Sequence, residues 1–217
     1  MGKKNEPIQI EIRGWPFRVR KPGKNQENPE VLLLLHGHQG NEDVMWILTN
    51  PLPDHFWMLA PRAPVQTAQD GYSWHEIGQT WPDLEMYRTL TKELLSRVDD
   101  WMEENQVHPE KVHLMGFSQG AVMVYALGFL YPDRIGKMAA IAGFFPGDWR
   151  DALDQHAFQD KQIFIAHGTR DEIIPIEKAR QAADVLEGAG AQVHFCSAET
   201  GHKLSANCFN GLGDFFK

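Results

Sequence analysis

The sequence predicts an α/β fold, a mostly parallel sheet flanked by helices on both faces, within one domain spanning residues 1–217. Three observations predict it. Short runs of β-favouring apolar residues alternate with longer stretches of helical period. The run VLLLL at 31–35 is apolar throughout, as a strand buried on both faces of a parallel sheet must be. At 217 residues the chain suits one core and would be cramped as two.

The elements follow in order. Residues 8–12 and 17–20 read as a hairpin around Arg13-Gly14-Trp15-Pro16. The Pro-rich, polar stretch 21–29 is a surface loop, and strands follow at 31–35 and 56–60. Amphipathic periodicity predicts a helix over 84–105, then a strand at 112–115 and a helix over 120–130. Strands at 138–142, 163–166 and 193–196 alternate with helices over 176–187 and 204–216. The long loops at 37–54 and 62–82 are too short for a large lid.

Composition narrows the function. With 21 basic and 29 acidic residues the net charge is -8, and no basic patch suggests nucleic acid or an anionic membrane as partner. The N-terminal MGKKNEPIQIEI has no apolar stretch for a signal peptide or span, and Glu6 stands where a myristoylation signal wants Ser or Thr. The expectation is a cytoplasmic protein with no stable membrane insertion. Cys196 and Cys208, the two cysteines, do not form a disulfide framework and point to a reducing compartment, with a single bridge between them left open.

Ligands of open α/β sheets bind beyond the carboxyl ends of the strands. There the chain places HGHQG at 36–40, GFSQG at 116–120, HGTRD at 167–171 and SAETGH at 197–202. A G-x-S-x-G string alone is a weak signal, but this one lies between a predicted strand and a predicted helix, where a nucleophile elbow belongs. Ser118 would project from that turn, and Gly116 and Gly120 remove side chains where strand and helix converge. A serine hydroxyl needs a base, and the base an orienting acid. In this fold they follow in the order Ser, Asp or Glu, His. Asp171 and His202 satisfy that order, with Glu172 as an alternative acid. Of the ten histidines, His36 and His167 close strands and read as buried, backbone-bonded residues. His36-x-His38 lacks a third ligand, so no metal is expected.

Together the segments LLLLHGHQGN, APRAP, GYSWHEI, LMGFSQGAVM, HGTRDEIIP and ETGHKLS resemble the phospholipase/carboxylesterase family of α/β-hydrolases. The resemblance implies a Ser118–Asp171–His202 triad, an oxyanion hole built from the backbone N–H groups of His38 and Gln119, and no cofactor. The implied reaction is hydrolysis of a small-molecule ester or thioester through an acyl-enzyme. The chain departs from its relatives at His38-Gln39 and at Gly143-Phe144-Phe145, which puts the substrate in question. Loop positions nominate Met45, Trp46, Tyr72, Trp74, Phe144 and Phe145 as pocket residues, whereas Trp57 and Trp81 read as packing. A shallow site for short to medium acyl chains is expected. The alternatives are a thioesterase or lysophospholipase acting on long chains, a peptidase or acyltransferase with the same triad, and a non-catalytic binding protein.

Overall fold

The computed structural model describes residues 5–23, 29–76, 78 and 83–217. Trp81 and part of the 21–29 loop lie outside them. Strands β1 (Ile8–Ile12), β2 (Trp15–Arg20), β3 (Glu30–Leu35) and β4 (Phe56–Pro61) come first, followed by the two-residue strands β5 (Val65–Gln66) and β6 (Tyr72–Ser73). After them run α1 (Leu84–Glu104), β7 (Val112–Phe117), α2 (Gln119–Leu130), β8 (Ile135–Ile141), β9 (Gln162–Gly168), α3 (Ile176–Gly188), β10 (Gln192–Ala198) and α4 (Ala206–Phe215). Short 3-10 turns cover Val44–Thr49 and Gly147–Ala152.

Eight strands form one sheet in the order β1-β2-β4-β3-β7-β8-β9-β10. The β1–β2 and β2–β4 pairs are antiparallel and the other pairs parallel. Side-chain alternation along β3 divides the core. Val31, Leu33 and Leu35 pack with Leu94, Val98, Trp101 and residues of α2 and α3, while Leu32 and Leu34 pack with Met45, Leu212 and Phe216 on the opposite face. Helix α1 starts cleanly because the Asp83 side chain accepts from the Met86 N–H at 3.0 Å.

The structure departs from the sequence expectations in four places. Helix α2 is buried from Gln119 through Gly128, so it is a central helix and not an amphipathic one. Strand β10 lies at the sheet edge with His194, Phe195 and Ser197 exposed, so the Val193–Cys196 run is not buried on both faces. Strand β8 begins earlier, at Ile135, where the close approach of Gly136 to the His113 ring lets the Lys137 N–H donate to His113 Nδ1 at 2.9 Å. It ends one residue sooner, because Ala142 turns to φ 51°. Lastly, Cys196 and Cys208 are joined, tying β10 to α4 with Cα atoms 5.7 Å apart. That bridge removes the cysteine argument for a reducing compartment. Among the described residues no helix is long and apolar enough to cross a membrane.

Candidate active site

The turn from β7 into α2 carries Ser118 at φ 54° and ψ -116°, a region a non-glycine residue occupies only when its surroundings force it. The forcing contacts are specific. The Ser118 N–H donates to the Ile141 carbonyl at 2.8 Å, and the Ser118 carbonyl accepts from the Ala121 N–H at 2.9 Å. A Cβ on Gly116 would stand 2.1 Å from the Gly120 carbonyl oxygen, and one on Gly120 only 2.0 Å from that of Leu35. Both positions therefore require glycine, as the strained turn predicts. Gly143 shares the constraint, since its Cβ would lie 2.4 Å from that of Ala121.

Asp171 and His202 meet although they arrive on different loops. His202 Nδ1 donates to Asp171 Oδ2 at 2.7 Å, while Asp171 Oδ1 accepts from the N–H groups of Ile173 and Ile174, both at 2.9 Å. Burial alone pushes the Asp171 carboxyl up, but the Ile174 N–H, His202 and the Ile173 N–H outweigh it and hold it below the ordinary carboxylate value. His167, buried beneath, donates from Nε2 to the Ile174 carbonyl at 2.7 Å. The two loops are stitched by Thr169 N–H to Ala198 O and Arg170 N–H to Thr200 O. Glu172, the alternative acid, is exposed, and Asp171 is the carboxylate that reaches the imidazole.

The loop after β3 forms the opposite wall. His36 is fully buried, donating from Nδ1 to the Gly37 carbonyl at 2.7 Å and accepting the Ala63 N–H on Nε2 at 3.0 Å. Burial pushes its pKa down to about 4, so the ring is neutral and its tautomer fixed. His38 follows, between Gly37 and the left-handed Gln39 at φ 63°. Gln119 opens α2, where the first N–H groups lack intrahelical acceptors. Its buried side chain is gripped by the Trp74 N–H, Ser73 Oγ and His75 Nε2.

An open trough of about 740 Å³ brings these walls together. Ser118, His202, His38 and Met45 line it, together with Val44, Ile47 and Leu48 from the first 3-10 turn and with Phe117, Ile173, Leu204 and Phe209. The other pocket nominations are corrected. Trp74 is 2% exposed and donates its Nε1–H to the His36 carbonyl at 2.7 Å, so it braces the wall from behind. Trp46 turns its Nε1–H to the Glu42 carbonyl at 2.9 Å. Phe145, 4% exposed, packs edge-on against Trp149 in the main core, and Phe144 packs on that same core. Tyr72 stacks under the Arg62 guanidinium, 4.6 Å from ring centroid to carbon, and does not line the trough.

Sequence reasoning also missed the strut beneath this loop. Glu42 is buried and grips Arg62 through both oxygens, at 2.7 and 2.5 Å. Its signal was available in Arg62 standing between two prolines of APRAP at a strand end, a costly place for a cation without a partner.

A serine on a strained strand-to-helix turn, sharing a trough with an aspartate-bound imidazole on a mostly parallel sheet, defines an α/β-hydrolase. The chain belongs to the phospholipase/carboxylesterase family, which it matches over residues 17–217. It is similar to acyl-protein thioesterase 1 of Kluyveromyces lactis, 28% identical over 187 residues that cover 78% of this chain and 81% of that protein. Esterase YpfH of Escherichia coli is 27% identical over 183 residues, covering 82% and 76%. Among solved structures, the Bacillus cereus carboxylesterase superposes with a TM-score of 0.81 at 24% identity, covering 94% of both chains. Family and relatives make this protein a carboxylesterase-type hydrolase.

Proposed function

We propose that Ser118, His202 and Asp171 act as a catalytic triad that hydrolyses carboxylic esters of short to medium acyl chain. His202 Nε2 takes the Ser118 proton as Oγ bonds to the carbonyl carbon, and its Nδ1–H stays on Asp171. The oxyanion rests on the N–H groups of His38 and Gln119. The bond to the leaving oxygen then breaks, and that oxygen receives the proton from His202. Water attacks the acyl-serine by the same relay in reverse. The observation that carries this reading is the 2.7 Å His202–Asp171 contact on a loop that shares its trough with Ser118.

The trough's volume exceeds what a butyryl group fills, and most of its lining is apolar. It favours the longer end of the short-to-medium range over the shallow site the loop lengths suggested. Ile47 at 72% and Ile173 at 70% exposure prolong the apolar walls to the rim. That rim also suits the second reading, a thioesterase taking longer acyl chains.

A fluorophosphonate probe should label the native protein at Ser118 and leave Ser118→Ala unlabelled. Absence of labelling in a natively folded protein would sink the mechanism, as would undiminished ester hydrolysis by Ser118→Ala.

A further inference from the structure

The charge lining the trough is opposite in sign to that of the whole molecule. Acidic residues number 29 of 217 and the net charge is -8. Yet among the described residues the ionisable side chains lining the trough are His38, His202 and Lys203, with no carboxylate. Lys203 is exposed and takes part in none of the ion pairs among the described residues. The nearby acids are already engaged: Glu199 holds Arg170, and Asp171 sits behind the imidazole of His202. Glu172 is exposed but does not line the trough. Lys203 is fixed at its backbone, where its N–H donates to the Gly201 carbonyl at 2.8 Å. Lys203 lines the trough and is exposed, and its ammonium takes part in no ion pair among the described residues, so a long flexible stem can bring that charge to a ligand at the mouth.

We propose that Lys203 is a specificity-determining residue that selects esters or thioesters whose leaving group carries an anion, a carboxylate, phosphate or sulfate. This rests on the triad reading above. The direction follows from proton transfer: the leaving oxygen or sulfur takes its proton from His202, so the alcohol or thiol lies against His202, and Lys203 is the next residue of the same loop and lines the same trough. The acyl chain occupies the apolar walls, which offer an anion nothing. A lone cation in a cleft without acids focuses field on an incoming anion, while the -8 surface repels anions elsewhere.

The test compares 4-carboxyphenyl butyrate with its neutral isostere 4-carbamoylphenyl butyrate, and adds mono-4-nitrophenyl glutarate, which carries its anion on the acyl side. For the native enzyme at low ionic strength, kcat/KM should favour the carboxyphenyl ester over the carbamoyl ester by about fivefold. Lys203→Met should abolish that ratio, Lys203→Glu should invert it, Lys203→Arg should keep it, and half-molar salt should erase it. The glutarate should show no dependence on Lys203. A ratio unaffected by Lys203→Met overturns the subsite, and a Lys203-dependent preference for the glutarate overturns its assignment to the leaving group. Equal hydrolysis of both butyrates refutes this inference and leaves the triad standing, whereas hydrolysis of neither refutes this inference, and the triad as well when the fluorophosphonate probe also fails to label Ser118.

Discussion

Acidification should weaken this protein in a window set chiefly by His36 and His113. His36 is fully buried and its pKa is pushed down to about 4; His113, partly buried beside Phe56 and Phe216, is held at about 4 as well. In the unfolded chain each would titrate near about 6.5. The unfolded state therefore binds more protons between those values, and the stability these groups provide is complete above about pH 6.5 and lost as pH falls toward about 4. For His36, lowering the pH from 8 to 5 should cost about 2 kcal/mol. His113 should add somewhat less, because solvent reaches part of it. Together that is a substantial share of a typical folding free energy of about 5–15 kcal/mol. Urea unfolding at pH 8, 6 and 5 measures it directly, with His36→Gln as the control that should flatten the slope. Stability that is level from pH 8 to 5, or a His36→Gln slope equal to the native one, would refute the reasoning. The loss also bears on activity, since protonation takes away the Nε2 acceptor of the Ala63 N–H and loosens the wall that presents His38.

Asp171→Asn should lower kcat by about 10⁴ by favouring the wrong imidazole tautomer, while the exposed Glu172→Gln should leave it nearly intact; the reverse ranking in steady-state assays would relocate the acid. Opening the Cys196–Cys208 bridge by Cys196→Ser releases a closure of 12 residues and should cost about 3 kcal/mol, read as a lower melting temperature. A melt indifferent to the substitution would show that the bridge contributes nothing. Met45→Trp adds bulk inside the trough and should move the optimum on a 4-nitrophenyl ester series to shorter chains, each methylene left uncovered forfeiting about 0.8 kcal/mol. An unmoved optimum would place the acyl chain elsewhere.

The parts of the molecule that obey a local period were legible before any coordinates. The buried run of β3 and the stripe of Leu94, Val98 and Trp101 on α1 each announce themselves through the spacing of their side chains. The Ser118 turn was legible for a different reason, because two glycines flank it and both are sterically obligatory. What escaped was whatever depends on which way a loop side chain turns. Trp74 and Met45 both follow strand ends in the sequence, yet one braces the wall from behind and the other lines the trough. Burial likewise depends on place in the sheet. VHFC at 193–196 reads as a core strand, and only the strand order reveals that β10 has no neighbour beyond it among the described residues.

That edge position divides the proposed machinery by cooperativity. Ser118 is mounted between the interior strand β7 and the buried helix α2, the kind of segment whose opening energy should approach that of global unfolding. His202 hangs between β10 and α4, the last strand and the last helix. The two halves should report different opening energies in native-state hydrogen exchange, with β10 amides exchanging by a local fluctuation that leaves β7 protected. A peripheral opening would strip the nucleophile of its base without denaturing the protein, so inactivation on heating should precede loss of bulk secondary structure. The bridge from Cys196 to Cys208 spans the segment that would detach, and narrows the gap between those two temperatures.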